Sequence, residues 1–201
     1  MLLSVENLAC RRGGRDVFAG VSFALAAGEA LTVTGPNGSG KSSLLRLIAG
    51  LLLPADGRVA LEGGDSELTL AEQAHYLGHQ DALKPALTVR ENASFWSRYL
   101  GPAGIAPEAA LTLTGLAEVA DLPVAYLSAG QRRRLSLARL AAVKRPIWLL
   151  DEPASALDSS GQARLSEMMR EHLTQGGLIL AAAHGGIGLE RSKELRLGEL
   201  Q

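Results

Sequence analysis

Gly35-Pro-Asn-Gly-Ser-Gly-Lys-Ser42 follows the short apolar run Leu31 to Thr34 and precedes a helical pattern from Ser42 to about Ala49. It matches the phosphate-binding loop pattern in full, in the strand–loop–helix context that the pattern needs. Gly35, Gly38 and Gly40 let the backbone curl so that successive N–H groups and a helix N-terminus point at phosphate oxygens, with Pro36, Asn37 and Ser39 completing the cradle. In that pattern Lys41 reaches the β and γ phosphates and Ser42 ligates Mg²⁺. The expected ligand is a nucleoside triphosphate with its magnesium ion.

Such a loop needs an acid delivered beside it, and Ile147-Trp-Leu-Leu-Asp-Glu152 is an apolar strand ending in two carboxylates before Pro153. Consecutive side chains at a strand end diverge, so only one can serve the metal. That residue is Asp151, and Glu152 is left to polarise the attacking water.

Working outward, Leu31 to Thr34, Pro146 to Leu150 and Leu178 to Ala183 are continuous apolar runs, the pattern of a parallel sheet covered on both faces. Leu2 to Leu8 and Val17 to Ala26 alternate instead, around the polar turn Arg11 to Asp16, and read as half-buried antiparallel strands. Gly57 to Gly63 joins them as a third strand, and Glu194 to Leu200 reads as a last one. Thr88-Val-Arg-Glu91 is a capping box opening a helix, Pro102 and Gly104 break the pattern, and Pro107 restarts it. Residues from about 86 to 130 are therefore expected to be a helical insertion.

Composition narrows the function. The 201 residues carry a net charge of −1, with basic residues scattered apart from Gln131-Arg-Arg-Arg134, so a nucleic-acid partner is not expected. That arginine run reads as a solvated helix face. Cys10 is the one cysteine, which excludes an internal disulfide, and it reads as a small buried hydrophobe. No window reaches the roughly 18 apolar residues that cross a bilayer, so the chain is expected to be soluble.

Leu127-Ser-Ala-Gly-Gln131, upstream of Asp151-Glu152, closely resembles the signature of ABC-type ATPases. Taken alone, Ser128 is a helix N-cap with Gly130 as a flexible neighbour; the phosphate loop and the acidic strand end favour the family. The resemblance covers almost the whole chain. It implies an α/β fold, a P-loop NTPase ABC cassette with a mostly parallel core sheet, an antiparallel β-lobe and an inserted helical lobe, all within one domain of residues 1–201.

The resemblance also implies roles. Gln80 looks like the glutamine that senses Mg²⁺ and the membrane partner, Ser155-Ala-Leu-Asp158 like the inter-subunit loop, and His184 like the switch histidine on the γ-phosphate. Ser128 and Gly130 would meet the γ-phosphate held by Lys41 of a second copy, so two ATP molecules close an ATP-dependent dimer. Integral membrane subunits are implied as partners, with the chain peripheral on the cytoplasmic face of the inner membrane.

Cassettes of this family usually stack an aromatic residue on adenine near positions 11 to 13, where this chain has Arg11, Arg12 and Gly13; an arginine plane or Phe18 are the alternatives. Ala129 stands where glycine is commoner. Tyr76 to Asn92, Leu127 to Arg134 and Arg145 to Pro153 resemble one branch more closely, the ATP-binding subunits of haem exporters in bacterial cytochrome c maturation. Another substrate, or a single-cassette ATPase without transport, is the alternative. His75 and His79 flank a strand end and read as structural rather than as haem ligands.

Overall fold

The computed structural model describes residues 1–101 and 104–198. Two compact units divide it. One comprises Met1–Gly78, Pro146–Pro153 and residues 169–198; the other comprises His79–Arg145 and Ala154–Met168.

In the first unit, β1 (Leu2–Arg12) pairs antiparallel with β2 (Arg15–Ala26) on one side and with β4 (Asp56–Glu62) on the other. The β1–β2 turn is only Gly13-Gly14. The strands run through Arg11, Arg12, Arg15 and Asp16, which the sequence pattern had assigned to the turn, because Arg11 Nε bonds Asp16 Oδ1 across the ladder at 2.7 Å. Leu3, Val5, Leu8, Cys10 and Leu25 point inward and are buried.

The second sheet has the order β5 (Ala74–Leu77), β6 (Ile147–Asp151), β7 (Leu178–Ala182), β3 (Ala30–Thr34), β8 (Lys193–Arg196), every neighbouring pair parallel. Every residue of β6 and β7 is buried, which is why their sequences, up to Asp151 at the end of β6, are continuously apolar rather than alternating. Helix α1 (Lys41–Ile48) packs on β6 and β7 and buries Leu44, Leu45, Leu47 and Ile48. The last strand spans Lys193–Arg196 rather than Glu194 to Leu200; the Leu197 N–H still donates to Thr34 O at 2.9 Å just past its end, and Glu199 to Gln201 lie outside the described residues.

The second unit is helical: α2 (Val89–Leu100), α3 (Pro107–Leu113) and α4 (Ala129–Ala142) pack around Val89, Leu111, Leu116, Leu127, Leu135 and Ala138. It begins before residue 86 and continues past 130. Thr88 and Glu91 close the expected capping box on α2, and Pro107 opens α3. Pro102 lies outside the described residues. Helix α5 (Ser159–Thr174) follows β6 and a loop. Among the described residues no helix is long and apolar enough to cross a membrane.

One side chain organises the approach to α2. Asn92, 2% exposed, accepts the Lys84 N–H at 2.8 Å and donates to the carbonyls of Lys84, Leu87 and Thr88 at 3.1, 3.3 and 2.9 Å. Asn92→Ala takes the side-chain partner from the Lys84 N–H and leaves the carbonyls of Lys84, Leu87 and Thr88 with only their backbone hydrogen bonds, at a cost of about 1–3 kcal/mol. A melting temperature lower by roughly 3–10 °C in a calorimetric scan is the expected outcome; an unchanged one contradicts this account of the segment.

Candidate functional site

The first unit gathers the loop, the acids and the histidine. All three follow the C-terminal ends of parallel strands: the loop follows β3, Asp151 and Glu152 end β6, and His184 follows β7. This is the edge at which open parallel sheets bind ligands.

Ser42 Oγ donates to Asp151 Oδ1 at 3.0 Å, and Asp151 is 3% exposed. Lys41, 8% exposed, folds its ammonium back onto the carbonyl oxygens of Gly35 and Pro36 at 2.8 and 3.1 Å. Ser39 Oγ is buried without a hydrogen-bond partner among the described residues. A loop holding a buried ammonium and an unsatisfied hydroxyl suits a polyanion, and the hydroxyl–carboxylate pair is the hard oxygen set that Mg²⁺ takes together with waters and phosphates. The residues therefore fit both the nucleotide and the metal.

Gly40 is held at φ 98° at the start of α1, and a β-carbon there would lie 2.6 Å from Val17 Cγ1 and 2.8 Å from Phe18 Cδ1. The loop can approach β2 only because residue 40 lacks a side chain. Phe18 is thereby committed to packing on the loop and the core, and Arg11 to Asp16.

Glu152 has φ 49°, a left-handed conformation costing about 1–3 kcal/mol in a non-glycine residue. The turn is held by the Glu152 N–H, which donates to Ala182 O at 2.9 Å. It carries Glu152 out of the strand direction of Asp151, and Glu152 Oε1 stands 3.5 Å from His184 Nε2. His184 also borders a cavity of about 690 Å³ lined by Thr34, Gly35, Pro36, Glu194 and Arg196 among others.

The second unit holds Gln80, Ser128, Gly130 and Asp158. Gln80 is exposed on the loop after β5. Ser128 caps α4 in a capping box: its hydroxyl accepts the Gln131 N–H at 3.2 Å, and the Gln131 side chain accepts the Ser128 N–H at 2.8 Å. Gly130 sits so close to the loop after β6 that a β-carbon would lie 2.8 Å from Ala156 O, and Ala156 has φ 62°. Asp158 caps α5, and the Gly161 N–H and then the Ser160 hydroxyl hold its carboxyl below the ordinary carboxylate range.

One reading of the sequence at the site needs correction. Arg133, within the run expected to face solvent, is 2% exposed and pairs with Asp81 at 3.3 Å. The signal was present in the helical period, for Arg133 precedes the buried Leu137 and Leu140 by one and two turns. Asp81, Asn92 and Ser136 were missed altogether. His75 is buried on β5 and His79 is exposed, and among the described residues no cluster of His, Cys, Asp and Glu side chains could hold a metal ion.

A family model described as ABC transporter matches residues 18–155. The chain belongs to the ABC transporter family. Over 198 residues, 98% of this chain and 98% of the relative, it is 62% identical to the cytochrome c biogenesis ATP-binding export protein CcmA of Nitrobacter winogradskyi. The same-named protein of Bradyrhizobium diazoefficiens is 60% identical with the same coverage. The ATP-binding cassette MJ0796, solved as a dimer in a post-hydrolysis state with ADP and Pi, has the same fold, with a TM-score of 0.82 over 97% of this chain and 94% of that one at 23% identity. This ABC ATPase binds ATP and hydrolyses it.

Lys41→Ala removes both the ammonium and its brace on the loop. Nucleotide affinity, measured by titration calorimetry on the purified chain, is expected to fall by about tenfold to a hundredfold, the worth of a hydrogen bond to a charged group. Wild-type affinity would show that the phosphates are held elsewhere.

Proposed function

We propose that this chain powers the export complex of c-type cytochrome biogenesis, the most specific reading being haem export, with ATP hydrolysed between two copies of the cassette docked on integral membrane subunits. The observation that carries the hydrolytic part is the Ser42–Asp151 contact beside the folded-back Lys41. The biological part is supported by the full-length likeness to proteins named for cytochrome c biogenesis and export.

In this reading the backbone N–H groups from Gly35 to Gly40 and the N-terminus of α1 receive the phosphates, and Lys41 exchanges its carbonyl partners for β and γ oxygens. Ser42 and Asp151 hold Mg²⁺, which when bound neutralises charge on the phosphates. Glu152 polarises the water that attacks the γ-phosphorus. The left-handed turn at residue 152 supports this division of labour, since it separates the two carboxylates that the sequence places side by side. His184, 3.5 Å from Glu152, orients that carboxylate and contacts the γ-phosphate. Gln80 senses the metal and the membrane partner.

Ser128 and Gly130 serve the γ-phosphate bound by the second copy. The Ser128–Gln131 box satisfies two of the backbone donors at this helix N-terminus, which leaves the other first-turn N–H groups to meet an anion, and their attraction for the second copy is lost once the phosphate leaves. Asp158 belongs to the loop between the copies. The complex sits at the cytoplasmic face of the inner membrane, with this subunit peripheral.

Glu152→Gln is expected to leave ATP binding intact and to slow hydrolysis by about 10²–10⁴-fold, the worth of a positioned base; near wild-type turnover removes Glu152 from that role. Ser128→Arg is expected to spare binding by the single subunit and to block the ATP-induced dimer seen by size-exclusion chromatography, and normal dimerisation would overturn the trans arrangement. A deletion strain is expected to lose haem-stained c-type cytochromes while keeping b-type haem proteins, with rescue by the wild-type chain and not by Glu152→Gln. Normal c-type cytochromes in the deletion would overturn the biological assignment and leave the ATPase untouched.

A further inference from the structure

The segment that follows Gln80 is held at Asp81 and at residues 84–88 by buried polar side chains, and two of these, Arg133 and Ser136, belong to the helix whose first turn carries Ser128 and Gly130. Arg133 on α4, its side chain 3% exposed, pairs through Nη1 with Asp81 Oδ1 at 3.3 Å. One turn further along, Ser136, also buried, donates its hydroxyl to the Asp81 carbonyl at 2.9 Å. Asp81 is thus fixed by its side chain and its backbone to the same face of the same helix. The next residue, Ala82, has φ 52°, a conformation an alanine keeps only where its surroundings over-determine it. Beyond it Asn92 clamps Lys84, Leu87 and Thr88.

A surface loop needs none of this. Placing a guanidinium at 3% exposure is unfavourable unless it is paired, and the pair here reaches the residue next to Gln80 rather than a remote helix. The strained Ala82 follows directly on the anchor, so the direction in which the chain leaves Gln80 is set by α4.

We infer that Asp81, Arg133 and Ser136 are positioning residues that make the Gln80 segment move with the helix bearing Ser128 and Gly130, so that γ-phosphate capture by the signature and the placement of Gln80 are one event. The inference rests on the proposed roles of Gln80 and Ser128. Linkage is reciprocal: whatever displaces Gln80, including a membrane subunit seated on it, displaces the start of α4 as well.

The test uses the full chain assembled with its membrane subunits. Asp81→Asn keeps size and loses charge at a partly exposed position, and Arg133→Lys keeps charge and loses the fork. Both are expected to lower kcat by about tenfold to a hundredfold, the usual cost of a displaced group, with KM for ATP changed by less than about twofold. The double variant is expected to be no slower than the slower single one, because both break a single link. Should Arg133→Lys fail to fold, Asp81→Asn alone carries the kcat and KM comparison. Gln80→Ala is measured beside them. If it slows turnover while Asp81→Asn and Arg133→Lys retain wild-type kcat, the positioning inference falls and the role of Gln80 stands. If Gln80→Ala itself turns over normally, the role of Gln80 falls and the inference with it. A rise in KM at unchanged kcat, or losses that multiply in the double variant, would also overturn the inference.

Discussion

Ser42 Oγ meets Asp151 Oδ1 at 3.0 Å although the two residues are far apart in sequence, and the parallel sheet is what brings them together. β6 and β3 flank β7, all three run in one direction, and their C-terminal ends fall on one edge. A slip of one residue in the β6–β7 register would turn Asp151 to the opposite face and bring Glu152 into its place. The register is held by the buried, apolar faces of β6 and β7, which admit no polar side chain without cost. Core packing and the geometry of the Ser42–Asp151 pair are in this sense one constraint.

The same edge explains the strain at Glu152. In the proposed mechanism two adjacent carboxylates take different tasks, and an extended strand would send them to opposite faces of the sheet. The left-handed turn at φ 49° brings Glu152 to the edge beside His184, and the hydrogen bond from Glu152 N–H to Ala182 O secures it. Strain of about 1–3 kcal/mol is a small part of a domain's gross interactions but a large part of its net stability. A relaxed Glu152 would leave the edge.

Much of this was legible in the sequence because local chemistry and global fold agree in it. The phosphate loop needs its glycines at fixed offsets, the parallel strands need unbroken apolar runs, and the capping box at Thr88–Glu91 is a local hydrogen-bond pattern. Arg133 was misread because charge composition was weighed above helical phase: a run of arginines looks solvated until its middle member is seen to share a face with Leu137 and Leu140. Asp81 and Asn92 escaped because nothing local distinguishes a loop aspartate or a helix asparagine from its neighbours. Their partners lie in Arg133 and in the carbonyls of residues 84–88, and only the folded chain brings these together. The turn at Gly13-Gly14 was placed too wide for the reverse reason, since charged residues were read as loop when they pair across strands.

Metal coordination at the Ser42–Asp151 pair is the step on which the hydrolytic account stands. Mn²⁺ in place of Mg²⁺ makes it visible by electron paramagnetic resonance, titrated into the full chain in the presence of ATP. The wild type is expected to bind the ion together with the nucleotide, and Asp151→Asn is expected to weaken ion binding by about tenfold or more while ATP remains bound. Unchanged Mn²⁺ affinity in Asp151→Asn would contradict the account, for the metal would then be held without the carboxylate that β6 delivers.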